Sequence, residues 1–195
     1  MTAAARNLPD PMTVEEFLDW DGDGTGTRYD LVEGVPRAHA APSGTHSTIH
    51  SMVSYALTGH LLAKRPECRV LIGGGVQPNF RSDWNFRQPD LAVTCTPNEK
   101  GEKSIPDPSI IIELLSPSNA ADTWDNVRNY MTLPSVHEIV VIYTTRVRVD
   151  VLVRDATGAW PNNPVELSGG ASIPFDSIGL MMPVMTAYRG TYLGA

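Results

Sequence analysis

A mixed α/β (α+β) fold, a central mixed β-sheet flanked by helices with an N-terminal β-hairpin, is the class this chain predicts. Three observations carry that expectation. Ile49, Met52, Val53, Ala56, Leu57 and Leu61 recur on one 3.6-residue face between Thr45 and Arg65, the pattern of a long amphipathic helix. The runs HEIVVIYTT and VRVDVLVRD are rich in β-branched residues and read as adjacent strands. Helical and strand patterns also interleave along the chain, in the order helix, hairpin, long helix, three strands, helix, two or three strands, helix.

Taken in order, residues 1–11 are small, polar and proline-containing, and predict a flexible arm preceding a single domain over 12–195. Thr13, with Glu15 and Glu16 behind it, forms a capping-box pattern that opens the short helix TVEEFLDW. A Gly/Asp turn cluster, DGDGTGT, follows, and then RYDLVEGVPRAHA, a hairpin turning at Glu33-Gly34. The long helix ends before Pro66. RVLIGGGVQ reads as a strand whose glycines mark a bulge or a close backbone approach. Strands at 89–95 and 109–115 come next, and Asn119 is the expected cap of a helix running to about Thr132. After HEIVVIYTT and VRVDVLVRD come a turn at Asp155 to Gly158, a short strand near Ile173 and a last helix around Val184 to Tyr192.

The chain holds 195 residues, suited to one domain, and its 42% hydrophobic content suffices for a core. A net charge of −7 excludes a broad basic footprint of the kind that dominates non-specific nucleic-acid affinity. Any contact with DNA must therefore use a local arginine patch or metal-bridged phosphates. The basic residues are skewed toward such a patch: three are lysines (Lys64, Lys100, Lys103) and 12 are arginines. Cys68 and Cys95 show no CxxC spacing and read as buried small hydrophobes of a reduced protein, without a disulfide. With no apolar signal core and no run of about 18 apolar residues, the expectation is a cytoplasmic protein without membrane contact.

Most of the motifs that first suggest chemistry have an ordinary explanation. Asp19, Asp21, Asp23, Gly24 and Asp30 follow the calcium-loop spacing, but RYDLVEG reads as a strand where the second helix must stand, so a solvated turn is favoured. His46 and His50 have the i, i+4 spacing of paired zinc ligands but no third ligand near in sequence, and a polar helix face is the commoner cause. The glycines at 73–75 lack the lysine and following helix of a phosphate loop. Asp90 and Glu113 are different. Glu113 is embedded in IIIELLS, where a carboxylate is costly to bury unless something neutralises it. Two carboxylates joined by the pairing of two short strands make a site for a hard cation such as magnesium; an arginine partner or an edge-strand position is the alternative.

Several stretches together resemble a known family. YDLVEGVPRAHAAPSGTHSTIHSMVSYAL, RQPDLAV and IIIELLSPSNAADTWDNVRNYMTLPSVHEIVVI look like the bacterial family of putative restriction endonucleases within the PD-(D/E)XK nuclease superfamily, over about Met12 to Tyr192. The resemblance implies a restriction-endonuclease-like core and a Mg²⁺-dependent (or Mn²⁺-dependent) DNA endonuclease. It further implies that Asp90 and Glu113 are the metal ligands, and that an upstream acid, Asp30 or Glu33, is a third acidic member. The superfamily's lysine is missing. Leu115 stands at the usual place two residues past the second acid, and Asn126 stands where this family commonly moves the lysine, four residues before Tyr130. An asparagine can orient a water but supplies no positive charge. Two readings follow: a nuclease using Asp90, Glu113, Asn126 and Glu33, impaired by the absent lysine, or a catalytically inactive nuclease fold serving as a nucleic-acid-binding or interaction module. Cutting two strands needs two sites, so a homodimer paired through HEIVVIYTT and VRVDVLV is also expected.

Overall fold

The computed structural model describes residues 11–195; the arm expected at 1–11 lies, apart from Pro11, outside the described residues. Helix α1 (Val14–Asp19) starts at the foreseen capping box, with Thr13 accepting from the Glu16 N–H and Glu16 reaching back to the Thr13 N–H. Strands β1 (Tyr29–Val32) and β2 (Val35–Ala38) form the hairpin. Its turn needs Gly34, which has φ 82° and packs so closely that a Cβ would lie 2.9 Å from the Trp84 ring.

Helix α2 (Gly44–Lys64) is capped by Ser43. A six-stranded sheet follows, built from β3 (Arg69–Ile72), β4 (Leu91–Thr94), β5 (Pro108–Leu115), β6 (Glu138–Tyr143), β7 (Val149–Val153) and β8 (Val165–Leu167), in that spatial order. Only β5 and β6 are parallel, and the crossover this requires is supplied by helix α3 (Ala120–Tyr130). Strands β9 (Ser172–Phe175) and β10 (Leu180–Pro183) form a separate pair, and α4 (Val184–Tyr188) closes the chain. The run of glycines after β3 works by close approach: a Cβ on Gly75 would fall 2.0 Å from the Phe86 ring.

The sheet is covered on both faces, which is why β6 is buried throughout and β5 everywhere but at Ser109, and both read as nearly continuous apolar runs. Even-numbered residues of β5 (Ile110, Ile112, Leu114) join Leu91, Val93 and the inner face of α2 in one core cluster. Odd-numbered ones (Ile111, Leu115) join Ala92, Val127, Tyr130 and Ile139 in a second cluster under α3. Glu113 falls between Ile111 and Leu115, so it faces α3.

Two expectations need correcting. Cys68 and Cys95 are joined in a disulfide. They directly flank the β3–β4 ladder, whose last pair is Arg69 with Thr94, so strand register makes neighbours of two cysteines 27 residues apart. The expectation of a reducing cytoplasm loses the support it drew from free thiols. No helix among the described residues is long and apolar enough to cross a membrane. The second correction concerns the runs expected to pair across a dimer. They are β6 and β7, and each is hydrogen-bonded on both sides within the sheet, which leaves neither a free edge.

Candidate active site

Antiparallel pairing of β4 with β5 matches Leu91 to Ile112, and one step further along the ladder sets Asp90 opposite Glu113 on the face under α3. Asp90 sits just outside β4, where its side chain can turn back: Oδ2 accepts the Leu114 N–H at 2.7 Å. Two histidines of α2 hold the same residue from the other side. His46 Nε2 lies 3.4 Å from Asp90 Oδ1, and His50 Nε2 donates to the Asp90 carbonyl at 3.1 Å. The two rings lie nearly parallel, 13° apart. The i, i+4 spacing thus aims both imidazoles at one acid rather than at zinc or at solvent.

Glu113 is buried, and Tyr130 of α3 donates its hydroxyl hydrogen to Oε1 at 2.7 Å. Burial pushes the Glu113 carboxyl well above its ordinary range, and the neighbouring Asp90 carboxylate adds to the effect. Burial would raise Asp90 as well, but the hydrogen bond and charge of His46, the Leu114 N–H and the charge of His50 together hold it below its usual value. Glu113 therefore holds its proton more tightly than an ordinary glutamate, and Asp90 gives its proton up more readily than an ordinary aspartate.

Asp30 of β1 joins this group. Its Oδ1 accepts the Gln88 N–H at 2.7 Å, and its Oδ2 accepts from Asn126 Nδ2 at 3.2 Å. His39 Nε2 is 3.0 Å from Asp30 Oδ1, at ion-pair distance though off the line of a hydrogen bond. Through these contacts Asp30 ties the hairpin to Asn126 of α3 and to the segment leading into β4. Of the four residues singled out from sequence, Asp90, Glu113 and Asn126 line one cleft of about 620 Å³, together with Asp30, Arg28, Arg37, His39 and His46. Glu33 does not join them. It sits exposed at the hairpin turn with φ 51°, ion-paired to Arg81 at 3.0 Å and lining a different hollow beside Trp84. Beneath the cleft, the buried Arg87 guanidinium bridges the Leu31 carbonyl and Asp125 of α3, fastening the hairpin to the helix that carries Asn126 and Tyr130.

The remaining motifs settle as turns and caps. Asp19 is ion-paired to Lys103, and the Asp23 carboxylate accepts from Thr25 within the turn. Asn119 precedes α3 but turns its side chain backward, with Oδ1 accepting from both the N–H and the hydroxyl of Ser116.

Among the described residues, no three His, Cys, Asp or Glu side chains come together as a ready metal cage. Magnesium keeps several waters and takes one or two carboxylates, the number that Asp90 and Glu113 supply in this cleft. Asp90 and Glu113 offer two hard oxygen donors, and among the described residues neither is ion-paired to a lysine or arginine, so the donor set fits a divalent cation.

The family described as "Uma2: Putative restriction endonuclease" matches residues 14–184. A Synechocystis sp. protein, described as uncharacterized protein slr1290, is 28% identical over 195 residues, covering 97% of this chain and 98% of its own. In fold, the chain is similar to the crystal structure of a putative nuclease belonging to DUF820 from Anabaena variabilis, with a TM-score of 0.74 at 18% identity over 91% of this chain and 98% of that one.

Proposed function

The chain belongs to the Uma2 family of putative restriction endonucleases, and from that premise we propose that it is a Mg²⁺-dependent DNA endonuclease, with Mn²⁺ able to substitute. The observation that carries the reading is the strand register that sets the half-buried Asp90 against the buried Glu113, two carboxylates that, among the described residues, have no lysine or arginine ion-paired to them. Asp90 and Glu113 would hold the ion. A divalent cation there supplies the positive charge for an in-line displacement at phosphorus.

The protein's own groups do the rest. His46, His50 and the Leu114 N–H fix Asp90 in its ionised form, and Tyr130 fixes the position of Glu113. Asn126 spends its amide N–H on Asp30, and its carbonyl oxygen serves to orient a water. Arg28 and Arg37 line the cleft and meet the phosphate backbone, supplying the local patch that the acidic net charge otherwise denies. Cutting both strands would bring two copies together at one site, so the active form is a homodimer whose interface lies outside β6 and β7.

The test is a plasmid nicking assay with Mg²⁺ or Mn²⁺, comparing the wild type with Asp90→Ala. Cleavage that disappears in the variant supports the reading; equal cleavage in both rules it out. One observation favours a second reading, an inactive nucleic-acid-binding module: no lysine lines the cleft. A wild type that binds DNA at the cleft and leaves it intact in both metals would establish that alternative.

A further inference from the structure

Hydrolysis of a phosphodiester by water requires a group that takes a proton from the water as it attacks. In the nuclease reading Asp90 and Glu113 would hold the cation, and an asparagine amide cannot accept a proton at neutral pH. Imidazole is the side chain whose protonation changes near neutrality, and the cleft contains two. His46 is turned onto Asp90. His39 is not.

His39 follows β2, and its backbone is pinned by donation from its N–H to the Arg28 carbonyl at 2.8 Å. Its Nε2 is buried and lies 3.0 Å from Asp30 Oδ1, at ion-pair distance without a hydrogen bond. The ring lines the same cleft as Asp90, Glu113 and Asn126, with 30% of its side chain exposed, open enough to meet substrate yet anchored on one side. Asp30 links the parts, one oxygen toward His39 and the other accepting from Asn126. Asp30 Oδ1 lies 3.0 Å from Nε2, so the contact sets that edge of the ring against the acid and turns the edge carrying Nδ1 away from it.

We propose that His39, oriented by Asp30, is the proton acceptor of this cleft and that it acts on the water attacking a phosphodiester. The inference rests on the nuclease reading. As a lone pair of the water oxygen forms the new bond to phosphorus, the water gives a proton to His39 Nδ1. The phosphorus bond to the leaving sugar oxygen breaks, its electron pair stays on that oxygen, and the oxygen takes a proton from solvent. The other charged groups in the cleft are Arg28 and Arg37 from the hairpin, His46 from α2, Asp90 and Glu113 from the sheet, and Asp122 and Asp125 from α3. The positive charge of the two arginines disfavours the ring cation formed in the step, and the Asp30 carboxylate beside the ring offsets it.

The experiment compares single-turnover plasmid nicking by the wild type, His39→Gln and His39→Ala in Mn²⁺, across pH 5.5–9, with Mn²⁺ binding measured by calorimetry. Loss of a general base is expected to slow cleavage about 10²–10⁴-fold. It should remove the acid limb of the pH profile and leave Mn²⁺ affinity and melting temperature unchanged. Added imidazole should restore part of the activity of His39→Ala, which a purely structural role would not allow. If the wild type cuts and His39→Gln cuts equally well, or if imidazole fails to rescue the alanine variant, the role assigned to His39 is wrong while the nuclease reading stands. A wild type that cuts nothing overturns both.

Discussion

Tyr130 donates its hydroxyl hydrogen to Glu113 Oε1 across 2.7 Å, joining the helix that crosses between the two parallel strands to the acid in the middle of the first. Both groups are fully enclosed, and burial raises both above their ordinary values. The bond works against that shift for the glutamate, because it favours the ionised carboxylate that a cation needs.

Replacing Tyr130 by phenylalanine therefore acts on affinity more than on folding. A single hydrogen bond contributes about 1 kcal/mol, so melting should fall by about 2–4 °C in a chain of this size. Glu113 would then hold its proton to higher pH, and each unit of extra shift costs tenfold in apparent affinity wherever the ion must displace that proton. Calorimetry with Mn²⁺ should show Tyr130→Phe binding more weakly than the wild type, with the difference shrinking as pH rises and Glu113 loses its proton in both proteins. Parallel curves across pH would show that the hydroxyl has no hold on the site.

Glu113 and Asp90 pull stability in opposite directions with pH. The folded Glu113 value lies above its ordinary 4.5, so native protein binds more protons than unfolded protein above that pH. Its contribution is complete below about pH 4.5 and is lost as pH rises through the raised folded value. Asp90 lies below its ordinary 3.8; its contribution is complete above that pH and is lost as pH falls through the depressed value. Glu113→Gln keeps the shape, stays neutral and removes the first dependence. Without metal, the variant should melt higher than the wild type by a margin that widens from pH 5 to pH 9, on the order of 2–4 °C per kcal/mol recovered. Calorimetry should find no Mn²⁺ binding in it. A margin that narrows with rising pH would contradict the raised value assigned to Glu113.

Much of this site was legible in the chain because strand register is local. IIIELLS announces a strand buried on both faces with a carboxylate inside it, and Asp90 precedes the neighbouring apolar run, so two short stretches suffice to bring the acids together. What escaped depends on distant closure. His46 and His50 looked like a polar helix face, since nothing in their spacing says that the end of β4 packs against α2. His39 lies just past a hairpin strand and gains meaning only when Arg87 ties that hairpin to α3. Glu33 fitted the expected pattern as well as Asp30 did, but strand alternation turns the two apart, and the positive φ at Glu33 places it in the turn. The edge strand β8 and the strand β10 are short and half exposed, and carry too little periodicity to be seen.

Asn126 occupies the place where a lysine is expected, and it is buried against Asp30. Asn126→Lys would set an ammonium beside that carboxylate, where the ion pair offsets the cost of burying the new charge. The added cation would also stabilise charge developing on the phosphate. Single-turnover nicking in Mg²⁺ should rise, by up to about 10²–10³ if the whole effect of a missing donor is recovered. A folded variant with an unchanged rate would show that the position does not face the reacting phosphate.

The Cys68–Cys95 bond tests how far the site depends on the sheet edge. It closes a loop spanning 27 residues of sequence and clamps β3 to β4 at the end away from Asp90. Restricting the unfolded chain over such a loop stabilises the fold by about 3 kcal/mol, so Cys68→Ser/Cys95→Ser should melt roughly 6–12 °C lower. Asp90, however, is held by the Leu114 N–H and two α2 histidines, none of which belongs to β3. Mn²⁺ affinity in the double variant should therefore stay within about twofold of the wild type, less than 0.5 kcal/mol, at temperatures well below melting. Affinity that drops while melting holds would reverse this assignment, because it would mean that strain at the edge reaches Asp90 along the four residues of β4.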